Sequence, residues 1–155
     1  MVKLTGGQAL AKSLYREGVR VIFGLPGVQL YHMMDGLYDE PGIRFITVRH
    51  EQATAYMADG YARSTGKPGV VLVTSGPGAT NTVTGLLTAL MDSAPIVVIC
   101  GQTIAPMLGK DAFQEAAVTR TTYPLVHHSY LVHDAEQIPQ VVRCPVYTSH
   151  AAAQR

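Results

Sequence analysis

The sequence predicts an α/β fold with a mainly parallel sheet of five to six strands, and three observations carry that prediction. Helical and strand-like patterns alternate along the chain rather than segregating. Four short runs are rich in β-branched and aromatic residues, as strands buried on both faces are. The segments between them are long enough to be crossover helices.

Each element follows in order. TGGQALAKSLYREG (residues 5–18) spaces Ala9, Leu10, Ser13, Leu14 and Glu17 helically and stops at Gly18, a C-terminal cap. The first strand lies in VRVIFGLPG (residues 19–27), closed by Gly24, Pro26 and Gly27. IRFITVR (43–49), GVVLVTSGPG (69–78) and PIVVICGQ (95–102) supply three more. VQLYHMMDGLYDE (28–40), RHEQATAYMADGYARSTG (49–66) and ATNTVTGLLTALMDS (79–93) are the intervening helices. A loop with a short helix follows over residues 107–122, then a fifth strand in HHSYLV (127–132) and a helix from near Asp134. A sixth strand is expected over residues 145–148, after a crossover too short for an ordinary parallel connection.

Composition bounds the function. A chain of 155 residues, 47% hydrophobic and 15% charged, makes one cored domain, expected over residues 1–143, with residues 144–155 as an atypical tail, truncated or shifted out of frame. Twelve basic and 11 acidic residues give a net charge of +1, with no footprint for nucleic acid or an anionic membrane. Small molecules or protein are the expected partners. Cys100 and Cys144 have neither metal-ligand spacing nor a disulfide-rich context. No stretch resembles a signal peptide or approaches the roughly 20 apolar residues of a membrane span, so a cytoplasmic protein is expected.

Several motifs fail on inspection. HEQAT (50–54) begins like a zinc-protease helix, but Thr54 stands where the second histidine belongs. GYARSTGKP (60–68) has one residue too many for a P-loop, and Pro68 replaces the magnesium-binding hydroxyl. SGPGATN (75–81) follows a strand and opens a helix, yet Asn81 replaces the third glycine of a dinucleotide fingerprint. His127, His128 and His133 lack ligand spacing and are expected to be structural or solvated.

Glu51 has two readings. An acidic residue in the first turn of a helix is favoured by the dipole and free amides, by about 0.3 to 1 kcal/mol. Alternatively, Ala55, Ala58 and Ala62 put small side chains on one helical face, allow another backbone to approach, and leave the carboxylate in a poorly solvated seam. Desolvation there raises its proton affinity and suits it to share a proton with a basic nitrogen of a ligand.

Four motifs in one order carry a resemblance. FGLPG (23–27), RHEQATAYMADGYAR (49–63), TSGPGATN (74–81) and GKDAFQE (109–115) are together similar to the N-terminal pyrimidine-binding domain of thiamine-diphosphate enzymes. DAFQE followed by HHSYLVHDAEQIPQVV most resembles the acetolactate synthase catalytic subunit, over roughly residues 3 to 143. The resemblance implies a three-layer α/β/α domain. It makes Glu51 the carboxylate that bonds N1′ of the aminopyrimidine, so that the cofactor can lose its C2 proton. Pyruvate would then be decarboxylated and joined to a second 2-keto acid, as in branched-chain amino-acid synthesis. By motif, Gly24, Pro26, Gly27, Gly76, Pro77 and Asn81 would border the cofactor, while Phe113 and Gln114 would line the substrate side.

The departures are specific. The family's Gly-Asp-Gly, which with downstream Asn residues binds magnesium and the diphosphate, is absent; the nearest match is Ala58-Asp59-Gly60. No metal site is therefore expected on this chain, and FAD, held by a central domain in many relatives, would likewise lie elsewhere. The resemblance implies an active site at a subunit interface, in a homodimer or larger assembly or with a separate diphosphate-binding chain. Two classes remain: a catalytic pyrimidine domain, of an acetolactate synthase or of another thiamine-diphosphate lyase or decarboxylase, and a noncatalytic dimerisation or binding module.

Overall fold

Thr5 opens the first helix with a reciprocal pair of bonds. Its hydroxyl accepts from Gln8 N at 3.2 Å, and Gln8 Oε1 accepts from Thr5 N at 3.1 Å, so two free amides are satisfied. Helix α1 (Gly6–Arg16) buries Leu10, Ala11 and Leu14 along one stripe, and Gly18, at φ +85°, turns the chain into the sheet. This computed structural model describes the backbone of residues 3–153 and the side chains of residues 3–146.

Strands β1 (Val21–Leu25), β2 (Arg44–Thr47), β3 (Gly69–Val73) and β4 (Ile96–Cys100) form one parallel sheet in the order β2-β1-β3-β4. The crossovers are α2 (Tyr31–Tyr38), α3 (Glu51–Thr65) and the pair α4 (Pro77–Thr80) and α5 (Val83–Met91). Helices α6 (Val118–Thr122) and α7 (Ile138–Ala153) follow β4.

Alternation along β3 divides the core. Val70 and Leu72 join Leu10, Leu14, Leu30, Leu37 and Val142, under α1, α2 and α7. Val71 and Val73 join Phe23 and Ala58 under α3, where Phe23 meets Tyr61 edge-on at 5.9 Å. Helices cover both faces, which gives the three layers expected.

The alanine stripe of α3 is packed as its spacing predicts. Ala55, Ala58 and Ala62 are buried, and a Cβ added at Gly85 of α5 would collide with Ala55, as one at Gly69 of β3 would with the Ala58 carbonyl. The close approach is thus made within the chain, by α5 and β3. Arg63 fastens the far end of the same seam: it reaches Asp59 at 2.8 Å and Asp92 at 2.7 Å, and these two carboxylates raise the proton affinity of its guanidinium.

The sheet has four strands among the described residues rather than five to six. HHSYLV is irregular and exposed, and its Tyr130, Leu131 and Val132 pair with no strand of the sheet among the described residues. Residues 145–148 lie within α7, with Pro145 inside the helix. Burial explains the continuation: Val142 and Val146, one turn apart, are both buried, which offsets the hydrogen bond that proline removes.

Candidate active site

Strand order places the site. The chain leaves β1 toward β2 and leaves β3 toward β4, in opposite directions, so the crevice outside the C-terminal ends of β1 and β3 is the switch point where open parallel sheets bind ligands. FGLPG and TSGPG start side by side there, with Gly24 opposite Leu72 and Leu25 opposite Val73.

Glycine lets these two turns touch. A Cβ on Gly24 would lie 2.5 Å from the Leu72 carbonyl oxygen, and one on Gly27 would lie 2.6 Å from Thr74 Cβ. Gly76 combines a left-handed φ of +55° with close approach, since a Cβ there would sit 2.5 Å from the Gln114 carbonyl oxygen. Pro26 and Pro77 are exposed beside them.

Glu51 is delivered by the start of α3. His50 is extended (φ −154°, ψ 135°) and its Nδ1 accepts from Gln52 N at 3.2 Å, which caps the helix and leaves Glu51 as its first residue. Asn81, 30 positions further on, donates from Nδ2 to Glu51 Oε2 at 2.9 Å. The other oxygen, Oε1, takes no hydrogen bond from a described residue and faces Gly78, where an added Cβ would lie 3.4 Å away. The carboxylate is half-buried, one to three turns from the alanine stripe rather than enclosed within its seam.

Phe113 and Gln114 sit in a turn built around Glu115. The Glu115 carboxylate accepts from Gly109 N at 2.5 Å and from Ala112 N at 3.0 Å, and these amides hold it below the usual carboxylate range. Gln114 takes a left-handed φ of +58°, and its carbonyl accepts from the Ser75 hydroxyl at 2.7 Å. The turn is thereby anchored to the TSGPG loop. Phe113 stays 71% exposed.

The structure therefore joins Glu51 with Asn81, Gly78 with Glu51, and Gly76 with Gln114. No hydrogen bond links the side chains of Phe113 or Gln114 to Glu51 among the described residues. Sequence reasoning missed three side chains that hold the loops together: Gln29, Thr74 and Ser75. Thr74 and Ser75 stand inside a quoted motif, but no spacing signal marks Gln29. His127, His128 and His133 are exposed, in line with a solvated role, and the described residues hold no cluster of three or more metal-ligating side chains. One concavity, lined by Glu17, Arg20, Tyr61 and Lys67, lies beside Val21 at the opposite end of β1 and is no part of this site.

Residues 4–121 match the family described as thiamine pyrophosphate enzyme, N-terminal TPP binding domain. The chain belongs to this family. Thiamine pyrophosphate is the compound called thiamine diphosphate above. The chain is 50% identical over 147 residues to the acetolactate synthase large subunit of Haemophilus influenzae, covering 95% of itself and 26% of that relative. It is 50% identical to the acetolactate synthase isozyme 3 large subunit of Escherichia coli K12, over 92% of the chain and 25% of the relative. With the acetolactate synthase of Arthrospira platensis the identity is 52%, over 90% and 25%. The chain thus spans about a quarter of the length of these relatives.

The thiamine pyrophosphate domain can be tested against its ligand from its own residues. A carboxylate with one oxygen tied to Asn81 and one free suits a basic ring nitrogen that shares a proton. The pyrimidine end fits. No described helix is long and apolar enough to cross a membrane.

Proposed function

We propose that the chain is the pyrimidine-binding half of an acetolactate synthase-type carboligase, which decarboxylates pyruvate and joins the two-carbon unit to a second 2-keto acid. The free Oε1 of Glu51, with Oε2 held by Asn81, is the observation that carries this reading. Bound thiamine diphosphate supplies the carbon nucleophile. Glu51 is the catalytic residue: it holds a proton at the pyrimidine N1′ and so governs the basicity of the ring's exocyclic nitrogen. Gly24, Pro26, Gly27, Gly76, Pro77 and Asn81 border the ring, and Phe113 and Gln114 face the keto acid.

In this reading residues 1–143 are the pyrimidine unit and residues 144–155 its tail. The diphosphate and magnesium are held by a partner chain or by further sequence, within a homodimer or larger cytoplasmic assembly. FAD, where the assembly uses it, also belongs to those parts. The apolar side chains Tyr56, Leu87 and Met91, exposed on α3 and α5, leave surface for such a partner.

A chimera tests the proposal. The chain replaces the matching segment of the Escherichia coli isozyme 3 large subunit, and acetolactate formation from pyruvate is measured. Acetolactate is expected. A folded chimera that binds thiamine diphosphate but forms no acetolactate would contradict the proposal and favour a noncatalytic binding module.

A further inference from the structure

We infer that Gln29 is a positioning residue that clamps the Phe113–Gln114 turn over the switch point. The inference rests on the functional reading above for its meaning, and on geometry alone for its substance. Gln29 lies just beyond FGLPG, half-buried, with its Cβ and carbonyl oxygen packed on Gly101 beyond β4; a Cβ on Gly101 would lie 2.9 Å from each. Its amide spans two loops. Nε2 donates to the Phe113 carbonyl at 3.1 Å, and Oε1 accepts from the Thr74 hydroxyl at 2.5 Å.

The orientation of that amide is fixed by its partners. A carbonyl oxygen can only accept, so Nε2 must face Phe113 and Oε1 must face Thr74, whose hydroxyl then donates. One side chain therefore ties together the segments following β1, β3 and β4.

The next carbonyl in the turn is anchored independently, because Gln114 O accepts from Ser75 Oγ at 2.7 Å. Two consecutive carbonyls are thus held from the ends of two different strands. Backbone, not ring, makes the attachment at Phe113, and this accounts for a large aromatic side chain left 71% exposed at a fixed position. Glu115 shapes the turn internally through Gly109 N and Ala112 N, so the turn keeps its form while Gln29 sets where it sits. A keto acid resting against Phe113 would be placed by Gln29 without being touched by it.

The sequence contains no tryptophan, so Phe113→Trp in the 155-residue chain gives a single indole reporter at an exposed site, excited selectively beyond the tyrosine band. Gln29→Glu keeps the shape and the Thr74 acceptor but sets a carboxylate oxygen against the Phe113 carbonyl; Gln29→Met removes both bonds. Because the indole is already exposed, each is expected to lower its anisotropy with little change in acrylamide quenching, and with the melting transition still cooperative. In the unsubstituted chain the Glu115 amide, bonded to Ala112 O at 2.8 Å, should exchange at least about tenfold more slowly than an exposed loop amide. Gln29→Glu should leave that internal protection in place, because the bond lies within the turn, while it frees the turn from its seat. In the chimera it should raise the KM for pyruvate more than it lowers kcat. Unchanged anisotropy in a folded variant, or an unprotected Glu115 amide in the unsubstituted chain, overturns the inference, the latter without any variant. An inactive chimera with an ordered turn would overturn the functional reading and leave the clamp standing.

Discussion

Asn81 Nδ2 lies 2.9 Å from Glu51 Oε2, a bond across 30 residues that joins the end of α4 to the start of α3. It divides the carboxylate into a held oxygen and a free one, which is what a residue that shares a proton with a ligand requires. Asn81→Ala is expected to cost about 0.5 to 1 kcal/mol in urea unfolding, less than a fully buried bond to a charged group because Glu51 is half-exposed. Asn81→Asp should cost more at pH 7, since it sets like charges together. In the chimera both should lower kcat with the cofactor still bound, and undiminished kcat in Asn81→Ala would show that the free rotamer of Glu51 suffices.

The seam between α3 and α5 gives an opposed pair of glycines. Gly85→Ala drives a methyl into Ala55 and should destabilise the chain by about 1 to 3 kcal/mol. Gly60→Ala, in the same helix as Ala55 and with nothing within 4 Å of the added Cβ, should stabilise it by about 0.4 to 1 kcal/mol. Urea midpoints measure both. Equal effects would mean that the seam opens readily.

Cys100 sets an alkaline limit. Desolvation among Phe23, Val71 and Val73 pushes its thiol up to about 12 from the unfolded value of 9.0. The folded pKa is the higher, so this contribution is fully present below pH 9.0 and is lost as pH rises toward about 12. Unfolding at pH 8 and pH 10.5 should therefore show the unsubstituted chain losing more stability than Cys100→Ala. Parallel losses would place the thiolate in water.

Thiamine diphosphate with magnesium should bind the isolated chain at most weakly, because the chain offers the pyrimidine a carboxylate but has no Gly-Asp-Gly segment for magnesium and the diphosphate. Calorimetry is expected to give a Kd above about 1 μM; tighter binding, beyond roughly 8 kcal/mol, would reveal a diphosphate site that this account lacks.

The four strands, the crossover helices and the tight turns were legible because each rests on local chemistry: β-branched runs, glycine punctuation and the alanine stripe. HHSYLV shows where local chemistry stops, since Tyr130, Leu131 and Val132 need a neighbouring strand that the described residues do not provide. The strand expected over residues 145–148 is helix instead, because Val142 and Val146 bury one turn apart and tertiary packing overrides the proline. Glu51 and Asn81 could each be singled out from the sequence, but their pairing depends on how α3 and α4 meet. Gln29 carried no signal, because a glutamine just past a glycine turn becomes informative only once Thr74 and Phe113 stand on either side of it.

Activation of a bound thiamine ring by Glu51 is tested most directly by deuterium exchange at C2 of thiamine diphosphate in the chimera. Glu51→Gln should leave the fold and bound cofactor in place and slow exchange by about 100-fold or more, the usual scale of a positioned acid–base group. Exchange at an unchanged rate would reduce Glu51 to a carboxylate at a helix end.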